Sequence, residues 1–180
     1  MPSPIAHLTA GYLVYLSGRR ALAREAGAEA PDGASRLLVL ALSFSLLPDA
    51  DSAAGLLLGD FGRYHNNGTH SLLVGAAVSL VTAGIIAWKR GGFRFWFLVA
   101  AASYGLHLLM DAATVGRGIM AFWPLSEQRF LSPLPVFYGL HWSDGWVSPR
   151  HLWTAVTELA FAAAVLSLWA IVPVRRRAQA

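Results

Sequence analysis

The sequence predicts an all-α integral membrane protein, a helical bundle with about five transmembrane segments that forms a single domain over residues 1–180. Three observations lead to this fold class. Hydrophobic residues make up 56% of the chain, and its mean hydropathy is +0.49. Charged residues make up only 13%, whereas soluble domains carry about 25%. Several apolar runs also approach the roughly 20 residues of a membrane-spanning helix.

The apolar segments cover residues 5–16, 37–58, 71–88, 93–113 and 152–174. The last three have the length of spanning helices. The first is short and contains His7. The second is interrupted by Pro48, Asp49 and Asp51, and because a proline disfavours helix at the preceding residue, only its first half is a clean helix. The aromatic-rich connection over residues 115–150 predicts a functional loop or one packed at the membrane surface.

The basic residues predict how these segments are oriented. If all five cross the membrane, ten Lys and Arg fall on one side and four on the other. Basic loops face the cytoplasm, so the N-terminus is predicted outside and the C-terminus inside. The basic residues form no single patch, and we expect the protein to bind no nucleic acid. The absence of cysteine excludes disulfides and thiolate metal ligands.

This topology brings ionisable side chains from every segment to one level near the outer membrane face. Ionisable groups at membrane depth are costly and normally face a bundle interior or an aqueous cavity. Imidazole and carboxylate ligands without thiolates suit Zn, Mn, Fe or Ni. We therefore expect one to three divalent metal ions, zinc ahead of manganese. The candidate ligands are His7, Asp49, Asp51, His65, His70, His107, Asp111 and Glu158.

Local spacing supports this set. His107 and Asp111 are four residues apart, so they share one face of a helix. Gly68 permits a tight turn that brings His65 back toward His70. Thr69 is a candidate N-cap for the third segment. The acidic pair in 48-PDAD-51 shares a face if the backbone is extended and diverges by about 200° if it is helical.

Each element also has a simpler interpretation. A lone intramembrane histidine is commonly a hydrogen-bonded core residue, LPDAD is compatible with a helix stop, and HNNGTH is compatible with a polar loop. Glu158 is either a metal ligand or a residue that holds a ligand in place, or else a partner of Arg150 or His151. His141 and Asp144 either line the site from the long connection or belong to an interfacial loop.

Taken in order, the motifs resemble a known family. A histidine in the first segment, then LPDAD, HNNGTHS, HLLMD and GRGIMAFWPLS, are together similar over residues 5–126 to the YdjM-type family of bacterial membrane-bound metal-dependent hydrolases. That family is distantly similar to zinc-dependent phospholipase C and the P1-type nucleases. The resemblance therefore implies a phospholipase C-like helical core and phosphoesterase activity. It implies a metal set of Asp49, Asp51, His65, His70, His107 and Asp111, with His7 as a further candidate.

The expected activity is metal-dependent hydrolysis of a lipid phosphoester at the outer face of the bacterial inner membrane. The expected partners are the membrane and a lipid or lipid-phosphate substrate, either a phospholipid or a polyprenyl phosphate. Asp49 or Asp51 would be the general base for a metal-activated water. Arg63, Arg117 or Arg129 would contact the phosphate, because arginine forms bidentate phosphate contacts.

Two other functions remain open. A divalent-metal transporter or channel would use the same ligands, although residues 37–44 and 76–86 carry no ionisable side chain for a path through the membrane. A non-catalytic membrane protein would hold the metal in a closed structural site. An intramembrane metalloprotease is disfavoured because its HExxH signature is absent, and a phosphatidyl transferase because PDAD is too short an acidic motif.

Overall fold

The computed structural model describes residues 2–26, 31–59, 65–141, 144–145 and 147–171. Within these ranges the chain forms six α-helices and two 3₁₀ turns. The helices are α1 (Pro4–Ala26), α2 (Pro31–Leu46), α3 (Ala50–Leu57), α4 (Leu72–Arg90), α5 (Phe93–Ala112) and α6 (His151–Ile171). The 3₁₀ turns are Leu47–Asp49 and Gly68–His70. Arg63, a predicted phosphate contact, lies outside the described residues.

Four stretches among the described residues are long and apolar enough, by length and composition, to cross a membrane. They are Gly33–Gly55, Leu72–Arg90, Phe93–Ala112 and His151–Ile171. The predicted all-α membrane bundle is therefore confirmed. Helix α1 has 23 residues but is not one of the four, because Arg19 and Arg20 lower the hydropathy of its second half. It packs against α2, α5 and α6 as a further long helix of the bundle.

The interruption at Pro48 tightens the helix rather than ending it. Pro48 lies at the first positions of a 3₁₀ turn, where a missing backbone N–H is tolerated. Helix α3 begins directly afterwards, and Gly33–Gly55 forms one candidate span. Asp49 and Asp51 therefore lie on helical backbone, but they do not diverge as a regular helix predicts: their Oδ1 atoms lie 3.7 and 3.1 Å from the same Nδ1 of His65.

Helix α5 is the central element of the bundle and packs against α1, α2 and α4. Its buried side chains recur at intervals of three and four residues. They change from apolar near its start to polar near its end, which places His107 and Asp111 inside one end of the bundle. The buried set is Trp96, Val99, Ala100, Ser103, Tyr104, His107, Leu108, Met110 and Asp111.

Small residues let the helices approach closely. Gly75, Ser79 and Ala83 are buried on α4 at four-residue spacing, which is typical of tight helix contacts in membranes. A Cβ on Gly75 would lie 2.6 Å from the ring of Tyr104 on α5. A Cβ on Gly11 would lie 2.6 Å from the hydroxyl oxygen of a serine at the end of α2. The close contact of α1 with α2 brings the first turns of α1 to the end of α2.

The connection after α5 covers the end of the bundle at which α2 and α5 finish. The backbone N–H of Leu72 donates to the carbonyl of Ala121 at 2.9 Å, and the Ser71 hydroxyl donates to the carbonyl of Trp123 at 2.6 Å. Phe137 of the same connection is 3% exposed. These contacts fix the connection against the start of α4, beside the end of the bundle that carries His107.

Candidate metal centre

Seven ionisable side chains meet at this end of the bundle. They come from α1, the first 3₁₀ turn, α3, the segment 65–70 and α5. Three of the histidines are fully buried, and the most exposed member of the set, Asp49, has only 13% of its side chain exposed. The set is His7, Asp49, Asp51, His65, His70, His107 and Asp111.

A first group of donors consists of Asp49, His65, His70 and Asp111, whose ligand atoms all lie within 4.8 Å of one another. The Nε2 atom of His70 is 3.0 Å from Oδ2 of Asp111 and 3.5 Å from Oδ1 of Asp49. The Nδ1 atom of His65 is 3.7 Å from the same Asp49 oxygen. Ligands about 2.0–2.2 Å from a tetrahedral ion lie roughly 3.3–3.6 Å apart. These three distances lie near that range, so the first group is compact enough to surround a single ion.

A second group consists of His7, Asp49 and His107. The Nε2 atom of His107 is 3.5 Å from Oδ1 of Asp49, and the Nε2 atom of His7 is 4.0 Å from Oδ2. The rings of His7 and His107 are stacked, with centroids 3.8 Å apart. Asp49 belongs to both groups, and its two oxygens face different histidines. One carboxylate therefore links two sets of donors that could each hold an ion.

Hydrogen bonds direct one lone pair of His70 and one of His107 into the site. The Nδ1 atom of His107 donates to the backbone carbonyl of Ser45 at 2.7 Å. The Nδ1 atom of His70 lies 3.2 Å from Oδ2 of Asp51, which accepts its proton. The other nitrogen of a neutral imidazole is then an acceptor. The two Nε2 atoms are only 3.2 Å apart, so either a proton on one of them or a metal cation must separate the two lone pairs.

Several buried atoms of the site have no hydrogen-bond partner among the described residues. They are both ring nitrogens of His7, Nε2 of His65, Oδ1 of Asp49 and both carboxylate oxygens of Asp111. Buried polar atoms normally have a partner, and each unsatisfied one costs about 1–3 kcal/mol. A divalent cation would satisfy these lone pairs and offset the charge of the carboxylates. The residues present therefore fit a divalent metal ion.

Asp51 lies beside the donor groups and belongs to neither. Its Oδ2 accepts from the Thr69 hydroxyl at 2.6 Å as well as from His70. Its Oδ1 lies 3.1 Å from Nδ1 of His65 and accepts from the Ser52 hydroxyl at 3.4 Å. Each oxygen of Asp51 thus contacts one hydroxyl group and one imidazole ring. Asp51 holds the two histidine rings in place.

Two predictions about the segment 65–71 were wrong. The residue that caps α4 is Ser71, whose hydroxyl accepts from the backbone N–H of Leu73; Thr69 instead turns its hydroxyl to Asp51. The left-handed backbone conformation falls on Asn66, with φ 60°, and not on Gly68. Gly68 is required for space, because a Cβ there would lie 3.1 Å from the indole of Trp123.

The surrounding carboxylates also change the acidity of His70. Burial lowers the pKa of His70, but Asp111, Asp49 and Asp51 together raise it well above its ordinary value of 6.5. A proton and a metal ion therefore compete for the same nitrogen, and binding of a metal would release that proton.

Two arginines from the connection after α5 hold the loop that carries His65. Arg117 donates to the carbonyl of His65. Arg129 donates to the carbonyl of Asn66 at 3.1 Å and to Oδ1 of Asn67 at 2.7 Å. Burial and the nearby charge of Arg117 lower the pKa of Arg129. The two guanidinium groups thus fix the loop and create a region of positive charge next to the site.

Comparisons with known proteins identify the family of the chain. The model of the YdjM inner membrane protein family matches residues 1–179. The chain belongs to the YdjM family. It is 36% identical over 107 residues to the inner membrane protein YbcI of Escherichia coli (strain K12), a match that covers 56% of this chain and 61% of YbcI. The chain therefore spans less than two thirds of the length of that curated relative. No solved structure matches.

Family membership and the apolar helices together identify an integral inner membrane protein. Three predicted residues of this YdjM-family protein lie apart from the donor groups. Glu158 on α6 is buried and accepts hydrogen bonds from the backbone N–H and hydroxyl of Ser3, so it is held away from the centre and pairs with neither of its predicted basic partners. Asp144 pairs with Arg150 at 2.9 Å. His141 lies 3.2 Å from the carbonyl of Tyr138.

The residues that support the centre were missed at the sequence level. Ser52 and Thr69 adjoin Asp51 and His70 in sequence, and hydroxyl residues next to candidate ligands are a signal that could have identified them. Tyr104 lies three residues before His107 on the same face of α5, and its hydroxyl donates to the carbonyl of Thr69. Only the backbone of Ser45 takes part in the contact to His107, so its side chain gave no indication.

Proposed function

We propose that this YdjM-family protein is a metal-dependent hydrolase that cleaves a phosphoester of a membrane lipid. The observation that carries the proposal is Asp49, which belongs to two groups of mostly buried donors that could each hold a metal ion. Paired metal ions that share a carboxylate are typical of enzymes that hydrolyse phosphoesters. We therefore assign two divalent ions to the site, zinc ahead of manganese, within the range of one to three that the sequence predicts.

The chain's own residues have distinct tasks in this proposal. His65, His70 and Asp111 would hold one ion, His7 and His107 the other, and Asp49 both. When bound, such ions polarise a phosphoryl oxygen and lower the pKa of a coordinated water. The protein keeps the ligands oriented through Asp51 and the Ser45 carbonyl.

We assign the proton-accepting role to Asp49 rather than to Asp51. Both oxygens of Asp51 already accept hydrogen bonds from hydroxyl groups and lie next to imidazoles. Oδ1 of Asp49 has no hydrogen-bond donor, and its side chain is 13% exposed against 8% for Asp51. Oδ1 of Asp49 is buried among the donors, so as general base it would accept the proton of a water held inside the centre.

A lipid phosphoester is the substrate class that the surroundings favour. The donors lie at one end of helices that are long and apolar enough to cross the membrane. Arg117 and Arg129 place two positive charges beside the His65 loop, and guanidinium groups are well suited to phosphate. A phospholipid or a polyprenyl phosphate would bring both a phosphoester and an anchor to this depth. The distribution of Lys and Arg supports placement of the site at the outer face of the inner membrane.

Two rival functions are less well supported. A transporter needs polar side chains along a continuous path, but the buried side chains of the described residues toward the other end of α2 and α5, such as Leu37, Ala41 and Val99, are apolar. A structural metal site is normally closed, whereas here Asp49 is part of both donor groups and retains exposure.

The decisive experiment combines metal analysis with hydrolysis of lipid phosphates. Detergent-purified wild type is expected to hold about two equivalents of zinc or manganese and to release phosphate or a phosphorylated headgroup from a lipid. His107→Ala and Asp111→Asn each remove a donor from one group, so each should lose about one equivalent of metal and should reduce turnover more than about 100-fold. His151→Ala and Asp144→Asn change the same residue types outside the site and should behave like wild type.

The outcomes separate metal binding from catalysis. Wild type that contains no metal and cannot be loaded would overturn the whole proposal. Wild type that holds metal but hydrolyses no phospholipid, polyprenyl phosphate or model phosphoester with any divalent ion would leave the metal site and reject the hydrolase.

A further inference from the structure

A second site lies at the opposite end of the bundle, between α2, α4 and α5. A groove of about 460 Å³ opens there, and its rim carries Arg36, Lys89 and Arg90. Helix α2 runs from this rim to the metal centre, and α4 runs from the metal centre back to it. The groove is therefore separated from the donor groups by the length of the spanning helices.

The rim is a cluster of exposed positive charges without acidic partners. Arg36 lies in the second turn of α2, and Lys89 and Arg90 form the last turn of α4, so the three lie at one level of the bundle. All three are exposed. Among the described residues, no carboxylate pairs with any of them. Such a cluster attracts an anionic group.

Below the rim the groove becomes apolar. Val39, Leu40, Ile85 and Ile86 line its walls. Val39 and Ile85 are 64% and 58% exposed, and both belong to stretches that are long and apolar enough to cross a membrane. From Arg36 to Ser43, the deepest lining residue of α2, the helix rises about 10 Å. A ligand that fills this groove has a charged end at the rim and an apolar end at least that long.

We propose that this groove binds an anionic phospholipid, with the phosphate of the headgroup on Arg36, Lys89 and Arg90 and an acyl chain along Val39 and Ile86. Basic pockets between transmembrane helices are known to bind anionic headgroups, and each Lys or Arg at such a surface contributes measurably to the attraction. A zwitterionic lipid fits the walls and also offers a phosphate, but its quaternary ammonium is repelled by the three cations, whereas an anionic lipid brings a net negative charge. The site is independent of the proposed hydrolase, because no residue of the metal centre lines it.

The test is selective lipid retention by the full-length protein. Wild type is reconstituted in a membrane of equal parts phosphatidylglycerol and phosphatidylcholine, extracted in mild detergent, and the bound lipids are measured by mass spectrometry. We expect the anionic lipid to be enriched over the neutral one. Arg36→Gln should lower this ratio about fivefold, which is the factor expected for one cation at an anionic surface. Replacement of all three cations by glutamine should abolish the preference.

The control is Arg94→Gln, an exposed cation at the same end of the bundle that does not line the groove. It should keep the wild-type ratio. Val39→Trp fills the groove and should reduce the amount of both lipids retained. Glycerophosphate, which offers the headgroup without an acyl chain, should not displace the lipid. The metal content of every variant should equal that of wild type.

Three results would overturn the proposal. The first is a triple variant that keeps the wild-type ratio of anionic to neutral lipid. The second is an equal decrease of that ratio in Arg94→Gln, which would mean that diffuse surface charge attracts the lipid. The third is complete displacement of the lipid by glycerophosphate, which would mean a simple anion site. None of these depends on whether the metal centre hydrolyses a phosphoester, so the two proposals fail separately.

Discussion

Asp49 and Asp51 contact opposite nitrogens of the same imidazole. Oδ1 of Asp49 is 3.5 Å from Nε2 of His70, and Oδ2 of Asp51 is 3.2 Å from Nδ1. A carboxylate that accepts from the outer nitrogen of a ligating histidine fixes the orientation of the ring and raises its basicity. We therefore propose separate roles for the two acids, Asp49 as a metal ligand and Asp51 as a positioning residue.

Asp51→Asn is expected to weaken metal affinity about 10–100-fold, the usual effect of losing a partner behind a ligand. The number of ions bound at saturating metal should stay that of wild type, because the donor groups remain complete. Asp49→Asn removes a donor from both groups, so it should abolish binding of at least one ion. Titration against a competing chromogenic chelator measures affinity and stoichiometry together.

Asp144→Asn is the matched control, because Asp144 is paired with Arg150 away from the centre. It should bind metal like wild type. Indistinguishable losses in Asp49→Asn and Asp51→Asn would show that both acids are ligands and would contradict the separate roles.

The residue types of the centre could be predicted from the sequence, but which of them are candidate ligands and which position the ligands could not. His107 and Asp111 were placed on one helix face by their spacing, and the structure brings both to the same centre. The role of Asp51 depends on which way the ring of His70 turns, which no spacing rule gives. The contact of Glu158 with Ser3 joins residues 155 positions apart, so it could not be read from neighbouring residues.

At the scale of elements, the contact between α4 and α5 supports the metal centre directly. Gly75 on α4 leaves room for the ring of Tyr104 on α5. The hydroxyl of Tyr104 donates to the carbonyl of Thr69, the residue before His70. Displacement of this ring would therefore move the 3₁₀ turn that carries a donor of the first group.

Gly75→Ala is expected to lower the free energy of unfolding by about 1–3 kcal/mol, the usual cost of overpacking a tight contact. The new Cβ would lie 2.6 Å from the Tyr104 ring, and the shift it forces should also weaken metal affinity. Thermal unfolding in detergent and the chelator titration measure the two effects.

Gly84→Ala is the control on the same helix, since a Cβ at Gly84 meets nothing within 4 Å. It should be neutral or should stabilise the protein by up to about 1 kcal/mol, because alanine favours helix over glycine. A Gly75→Ala variant as stable as Gly84→Ala, with wild-type metal affinity, would contradict the coupling between this contact and the centre.

The helices themselves were predicted from apolar run length, with two limits that have physical causes. Helix α1 continues through Arg19 and Arg20 to Ala26, because tertiary packing against α2 and α5 maintains it beyond the apolar run. Pro48 suggested a break, but a 3₁₀ turn accommodates it at its first positions. Hydropathy reports the length of an apolar run. It carries no information on whether packing against neighbouring helices maintains a polar segment as helix.

At the scale of the whole molecule, the two ends of the bundle have opposite chemistry. One end holds three carboxylates and four histidines, and the other holds the cationic rim of the lipid groove. Because basic loops are retained in the cytoplasm, this asymmetry predicts that the metal centre faces outward. A phosphoester hydrolase with this orientation would act on lipids of the outer leaflet of the inner membrane.

The chain has no cysteine, so one added cysteine tests this orientation directly. Glu127→Cys lies in the exposed connection at the end of the metal centre, and Arg94→Cys lies at the opposite end. In spheroplasts, a membrane-impermeant maleimide should label Glu127→Cys and should label Arg94→Cys only after the membrane is permeabilised. Wild type is the unlabelled control, and unchanged metal content checks the fold. Labelling of Arg94→Cys alone in sealed spheroplasts would place the metal centre on the cytoplasmic side and would redirect the search for its substrate to the inner leaflet.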